Sequence, residues 1–439
     1  MTNNSEASIP DVGKTAIFTN NSGNISTRTA AGDIREYSPT ALESESMVYG
    51  VKWDSTGNDA MQAGIVLEGS WYATDYSNFP IQEKCIRGLL TDTGAWTELH
   101  PYNTEKYPDG TSADITGGSD GQVMVQVPRH YQLVKKIDDD VYFLISEQDF
   151  TFSNTSAWVP PAFLDKSHFY IGAFQGVALS DAAGADVGSC TKVTSGYDYA
   201  TPNPFTDQTI VEFRSQCDHG VFSQMSLGQY DTMYMLALIE FKTFALQEVL
   251  EGNTEHGAWD YADTQEAGAT TGLGNFSGSI WSEDEEEYIA NSYRGVEHIF
   301  GNVYIFADGA NVDTDDTGST KQRLYTCYDP DDFTNTEADI LTDYTDTGCA
   351  PDFDNDDDYI KDVFSEGKYC PLFPVEVGAA SDTYITDYLY TVALGSGWRV
   401  VVGGGMLNDG RKAGFGCRTL SDASSRDSTY VGVRLGAYV

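Results

Sequence analysis

Gly397-Trp398-Arg399-Val400-Val401-Val402-Gly403-Gly404-Gly405, a polar stretch over residues 406–429, and Tyr430-Val431-Gly432-Val433-Arg434-Leu435 close the chain. The two ends of this segment read as buried strands. Val400, Val401 and Val402 run together, and Val431, Val433 and Leu435 recur at period two. The three glycines permit a turn or a close backbone approach that a Cβ would block. The polar stretch between the strands is rich in Asn, Asp, Ser, Arg and Gly, which is how a binding loop held by a stiff scaffold is built.

Working outward, residues 233–250 read as a helix capped by Asp231 and stopped at Gly252-Asn253. Met235, Leu238, Ile239, Leu246, Val249 and Leu250, extended by Phe241 and Phe244, make it apolar on most of its circumference, so it is an enclosed helix. Upstream, Gln122-Val123-Met124-Val125-Gln126-Val127-Pro128 alternates as a half-buried strand, and Gly117-Gly118-Ser119-Asp120-Gly121 is a turn. In Ser292-Tyr293-Arg294-Gly295-Val296-Glu297-His298-Ile299-Phe300-Gly301-Asn302-Val303-Tyr304-Ile305-Phe306-Ala307-Asp308-Gly309, the pair Gly301-Asn302 supplies a turn and Val303 to Phe306 a short strand. Arg294 and Glu297 are close enough in sequence to satisfy one another, and the polar residues of this block read as buried structural hydrogen-bonding groups.

The block from Tyr293 to Gly309 resembles the "YRG(I/V)E…GN(V/I)(W/Y)…DG" signature at Tyr293, Arg294, Gly295, Glu297, Gly301, Asn302, Val303, Tyr304, Asp308 and Gly309. With the closing strands, Asp114-Ile115-Thr116 and Phe169-Tyr170-Ile171-Gly172-Ala173-Phe174-Gln175-Gly176, it is similar to the C-type-lectin-like fold of viral tail-fibre proteins. Variable proteins of diversity-generating retroelements and formylglycine-generating enzymes share that fold. The resemblance implies an α+β chain, a C-type-lectin-like domain with a small twisted antiparallel sheet, few helices and long loops. Its expected layout is an N-terminal arm for attachment or oligomerisation over 1–46, a small β-rich domain over 47–118, and the lectin-like domain over 119–439 with an acidic insertion at 311–387. Trp398 and Arg434 are expected to serve the scaffold.

Asp plus Glu number 67 against 25 Lys plus Arg, a formal net charge of −42. That excess excludes nucleic acid and anionic membrane as favourable partners. The acids are spread among aromatic residues along the whole chain, and lysine is scarce, which points to an origin in high salt. No apolar run reaches bilayer-spanning length and residues 1–50 hold no signal-peptide core, so release by virion assembly and lysis is expected. Seven cysteines have no zinc-ligand spacing; most read as buried thiols, and Cys327, Cys349 and Cys370 lie where a disulfide is conceivable. Asp352, Asp354 and Asp356 alternate as in a calcium loop, but Asp357 stands at the glycine position and no Glu fills the twelfth, so an EF-hand is rejected. A bound calcium, magnesium or sodium ion elsewhere in the acidic loops is left open, and no other cofactor is implied.

The formylglycine-generating relatives use a cysteine pair near the C-terminus, whereas Cys417 is alone there, and no triad, phosphate loop or metal-ligand spacing is present. The chain is read as a non-enzymatic virion tail-fibre or tail-tip protein that binds a host surface glycoprotein or glycan. It is expected as a homotrimer among other tail proteins, without membrane insertion. A baseplate or decoration protein without a receptor, and a diversified variable protein, are the alternatives. The expected receptor-contacting residues are Met406, Leu407, Asn408, Asp409, Arg411, Phe415, Ser421, Asp422, Ser424, Ser425, Arg426 and Asp427.

Overall fold

Alternating and β-branched runs make strands along most of the chain, and turn chemistry decides how they meet. The computed structural model describes residues 47–56, 60–118, 120–179, 192–196, 203–257, 259–260, 263–281, 289–314, 322–351, 357–380, 383–391 and 397–439, together with the backbone of three strands nearer the N-terminus. Those three (Thr15–Thr19, Ile25–Thr29 and Ile34–Tyr37) form an antiparallel sheet within the stretch expected to be an arm. The role expected of that arm lies outside the described residues. So does the Asp352 to Asp356 run.

A five-stranded antiparallel sheet runs Tyr131–Ile137, Asp140–Ser146, Val48–Asp54, Gln62–Leu67, Ser70–Ala73. A six-stranded sheet runs Phe222–Gln224, Leu435–Ala437, His168–Gly172, Gln122–Pro128, Ile86–Leu90, Trp96–Glu98. Both sheets take strands from either side of residue 118. In the second, Gln122–Pro128 is flanked on both sides, and Val123, Met124 and Val125 are all fully buried, so this strand is covered on both faces. Alternation at its polar ends had suggested a half-buried strand; the apolar Val-Met-Val centre is the stronger signal.

The largest sheet has nine strands and holds the closing segment. Its path is Thr345–Asp346, Arg323–Thr326, Tyr304–Asp313, Trp398–Gly404, Gly414–Thr419, Tyr388–Tyr390, Asp358–Val363, Pro374–Val377, with Val431–Gly432 beside Tyr304–Asp313. Two of its pairings are parallel, so it is a mixed sheet and not the small antiparallel one expected. The 311–387 region therefore contributes four of its strands, Arg323–Thr326, Thr345–Asp346, Asp358–Val363 and Pro374–Val377. The chain is β-rich, with three α-helices among the described residues: α1 (Ile210–Cys217), α2 (Leu227–Phe241) and α3 (Glu337–Asp343).

Helix α2 corrects the expected 233–250 span. Ser226 accepts from the Gln229 amide while the Gln229 side chain accepts from the Ser226 amide, a reciprocal box that starts the helix earlier. Lys242, at φ 60°, ends it, and Leu246–Glu248 is a separate 3-10 turn. Asp231 is an interior residue of α2 rather than its cap. The enclosed character holds: α2 is packed between Tyr304–Asp313 on one side and Val48–Asp54 with Asp140–Ser146 on the other.

The largest fully buried side chains are three arginines, Arg87, Arg418 and Arg434. Arg434 donates to the carbonyls of Gly172 (2.7 Å), Glu297 (2.6 Å) and His298 (3.0 Å). Arg87 donates to the Gly295 carbonyl (2.6 Å) and to Thr104 and Thr270. Backbone carbonyls at strand ends and turns are thereby satisfied inside the core. Burial lowers the pKa of both Arg87 and Arg434 to about 10, which leaves each cationic at neutral pH.

The Tyr293 to Gly309 block is pinned in the same way. Arg294 and Gly295, both at positive φ, make a tight turn between Ile289–Tyr293 and Val296–Glu297. That turn separates Arg294 from Glu297, which do not pair. Arg294 forks onto Glu240 of α2 at 2.9 and 2.5 Å, joined by the Tyr293 hydroxyl at 3.0 Å. Glu297 accepts instead from the amides of Gly268 and Thr270 and from the Thr270 hydroxyl. Asp308 holds Arg214 bidentately, both bonds at 2.7 Å.

Candidate functional site

The closing segment begins on the buried strand Trp398–Gly404, where Val400, Val401 and Val402 are fully buried. Gly405 then turns at φ 73°, and a Cβ there would lie 2.5 Å from that of Ala413. Residues 406–412 form the first loop. Gly414–Thr419 re-enters the sheet as a buried strand, and residues 420–430 form the second loop. The single polar stretch read from the sequence is thus two surface loops separated by a core strand.

That division corrects three expected contact residues. Leu407 and Phe415 are fully buried, and Asp422 is 3% exposed. Leu407 drops into the core as the first loop closes; Phe415 packs edge-on against Tyr230 of α2, ring centroids 4.8 Å apart. Asp422 faces inward because its carbonyl accepts from the Val400 amide and its carboxylate is paired with Arg426 at 2.7 Å. Burial raises the Asp422 pKa, and Arg426 opposes that.

Arg411, Ser425, Arg426 and Asp427 are exposed, and Met406, Asn408, Asp409, Ser421 and Ser424 are partly exposed. The side-chain oxygen of Asn408 is buried and has no partner among the described residues. Asp409 is a loop clamp: its carboxylate accepts from the Met406 amide at 3.0 Å and from the Tyr390 hydroxyl at 3.0 Å. Arg411 lies 3.5 Å from Glu248 with both side chains well exposed.

The first loop is fastened from below. Leu407 donates to the Asn302 carbonyl, His256 donates to the Leu407 carbonyl, and Gly410 donates to the Thr254 carbonyl. Asn302, at φ 68°, is held in turn by four hydrogen bonds, to Asn253, to Gln175 and to both backbone groups of Gln265. Gly301 before it sits at φ 76°, where a Cβ would meet the Asn253 carbonyl oxygen at 2.7 Å. The Gly-Asn pair of the central block is therefore the foundation of the first loop.

Between the loops lies a cluster of tyrosines that the sequence reading missed. Tyr390 touches both loops: its hydroxyl reaches Asp409 and its carbonyl accepts from Leu420 and Ser421. Tyr304 sits 6.4 Å from Tyr390 and 6.2 Å from Tyr430, and Trp259 lies 5.9 Å from Tyr430. The Lys412 ammonium lies 4.4 Å over the Tyr388 ring and 5.8 Å from that of Tyr390. Arg426 lies over Tyr430 and donates to its hydroxyl. Burial and the Asp409 carboxylate push the Tyr390 pKa well up, so its hydroxyl stays protonated and donating. The signal available in sequence was Tyr388-Leu389-Tyr390, two tyrosines at period two.

Cys417 is fully buried, and burial raises its pKa, which makes it an inert core thiol. Cys327, Cys349 and Cys370 are free and buried, with no disulfide among them. Trp398 packs edge-on against Tyr325. Among the described residues, no group of three His, Cys, Asp or Glu side chains is placed to hold a metal ion, and no helix is long and apolar enough to cross a membrane.

No family model and no curated protein matches the sequence. Among solved structures, one titled "Major Tropism Determinant I1 Variant" aligns over 98% of this chain and 96% of its own, at 11% identity and a TM-score of 0.27. A likeness that loose fixes neither fold nor role.

Proposed function

We propose that this chain is a virion tail-fibre or tail-tip protein with a C-type-lectin-like domain, and that the two closing loops bind a receptor on the host cell surface. The observation that carries the reading is the pair of loops, 406–412 and 420–430, straddling the tyrosine cluster on a rigid base. Tyrosine and tryptophan offer large contact area with few torsions to freeze. The surrounding Asn, Ser and Arg groups supply adaptable hydrogen bonds. A glycoprotein or glycan partner suits this polar, aromatic surface. Assembly as a homotrimer through the N-terminal strands, a place in the tail, and a host living in high salt belong to the same proposal.

The test is host adsorption by a triple variant, Asn408→Ala with Ser425→Ala and Arg426→Ala. We expect an unchanged fold by circular dichroism and adsorption reduced about tenfold, the equivalent of 1.4 kcal/mol of lost contact. A folded variant that adsorbs like the wild type would place the binding surface elsewhere. The high-salt element has its own measurement. At −42 formal charge, self-repulsion is poorly screened in dilute buffer, so the melting temperature should rise by several degrees from low to molar salt. A flat or falling curve removes that element.

A further inference from the structure

Beside the first loop lies an open cleft of about 470 Å³, lined on one side by Glu248, Glu251 and Glu255, on another by Trp281 at the end of the strand Gly278–Trp281, and by Arg411. The Ser279 hydroxyl ties the two walls together by donating to the Glu251 carbonyl at 2.7 Å. Trp281 stands at the rim with 56% of its surface exposed, and Val249, next to Glu248, is 47% exposed. Tryptophan is among the residue types most enriched at contact hot spots, and Trp281 lines the cleft.

The polar groups of the cleft are unbalanced. Glu248, Glu251 and Glu255 all line it and all are exposed. Glu251 and Glu255 have no cationic partner among the described residues; Glu248 has only the loose 3.5 Å contact with Arg411. Ionised carboxylates accept hydrogen bonds and cannot donate. A ligand that fills an acceptor-rich cleft must therefore be rich in donors and carry positive charge. A guanidinium has five N–H donors, no acceptor, and a planar face that stacks on an indole. A sugar hydroxyl needs a donor as often as an acceptor, and Arg411 is the cleft's principal side-chain cation.

We propose that this cleft accepts an arginine side chain presented by a protein partner, stacked on Trp281 and bound by Glu251 and Glu255. It deepens the receptor-binding reading, on which it rests for the identity of the partner. The Trp281 indole supplies the apolar contact around the inserted cation, and the net negative field of the chain steers it in. Arg411 is the internal competitor, because it occupies Glu248 in the free protein.

Ligand-observed NMR on the full chain tests this with the capped peptide Ac-Gly-Arg-Gly-NH2. Its citrulline counterpart and a methyl hexoside serve as comparison ligands. The arginine peptide should bind saturably, about fivefold more weakly to Trp281→Ala, and more weakly again to the Glu251→Gln, Glu255→Gln double variant. Arg411→Ala should bind it more tightly by freeing Glu248. All these side chains are exposed, so each variant should melt with the wild type. Equal binding of the citrulline peptide, affinity untouched by every variant, no saturable binding, or tighter binding of the hexoside overturns the proposal. Host adsorption separates the two readings. If Trp281→Ala loses the peptide but adsorbs normally, the cleft stands and the receptor contact lies elsewhere. If the loop variant loses adsorption while the peptide never binds, the cleft alone fails.

Discussion

The central block from Tyr293 to Gly309 and the closing segment from 397 to 435 are both loop-rich, glycine-rich and charged, yet the fold uses them oppositely. In the central block, Arg294, Glu297 and Asp308 each meet a partner inside the molecule, two of the three being almost wholly buried. In the closing segment, Arg411 and Asp427 stay at the surface, on loops between strands whose interior is aliphatic. A charged side chain becomes architecture when a buried partner awaits it, and remains available when its partner is in water. Sequence spacing does not distinguish the two cases. Burial of the partner does.

The largest break in that comparison comes from a charge of the closing segment that behaves like the central block. Arg418 is fully buried; it pairs with Asp231 of α2 at 2.7 Å and donates to the Phe415 and Cys417 carbonyls. Arg418→Ala leaves a carboxylate buried without its cation, and burial already raises the Asp231 pKa. We expect a loss of about 3–5 kcal/mol in urea unfolding, enough to unfold a marginal domain. A loss under about 1 kcal/mol would show that water replaces the guanidinium, and that the pair is not structural.

The next effect depends on pH. Asp387 is buried under Gly414 and Gly416, accepts from the Gly416 amide at 2.6 Å, and has a second oxygen without a partner among the described residues. Desolvation raises its pKa from 3.8 to about 7, against the pull of that amide and of Arg418. Because the folded value lies above the unfolded one, the folded state binds the extra proton between roughly pH 4 and 7. Its contribution is therefore complete below pH 4 and is lost as pH rises towards 7. A shift of about three units corresponds to about 4 kcal/mol. Asp387→Asn should remove that part of the pH slope and be the more stable protein above pH 7. Parallel slopes for the two proteins from pH 4 to 7 would show that Asp387 ionises freely.

How much of this was legible follows from what each feature depends on. The buried valines of the closing strands could be read from their run and period, because strand burial is a local pattern. The Gly301-Asn302 turn is legible from its residue types, whereas the expectation that Arg434 serves the scaffold came with the fold resemblance and not from any local mark. The start of α2 was misjudged because Asp231 and Ser226 are both good caps, and only Gln229 three residues on decides for Ser226. Leu407 and Phe415 read as contact residues because both fall between the two valine-rich strands, and only tertiary packing shows that their side chains turn into the core. Tyr304, Tyr390 and Trp259 are not legible as site residues, since what joins them to the loops is tertiary. They come from three separate stretches of chain.

The smallest effect sharpens the comparison most. Arg411 and Arg426 look alike in sequence: each is an arginine within two residues of an aspartate in a polar loop. Arg426 is 48% exposed, but its partner Asp422 is only 4% exposed at the side chain, whereas Arg411 and Glu248 are 60% and 62% exposed. An exposed pair gains little, because water already screens both charges and two long side chains must be ordered to hold it. Arg411→Ala should therefore leave urea stability unchanged within about 0.5 kcal/mol. Arg426→Ala takes the counter-charge from a carboxylate that burial already disfavours, so the pKa of Asp422 should rise further. It should cost about 1 kcal/mol at neutral pH, a figure held down by the exposure of the arginine. The cost should shrink as pH falls and Asp422 becomes protonated. NMR titration of the Asp422 carboxyl in both variants reads this directly. A shift in Arg426→Ala and none in Arg411→Ala supports partner burial as the deciding variable; equal behaviour would mean that both arginines are free surface groups, available to the receptor in the same degree.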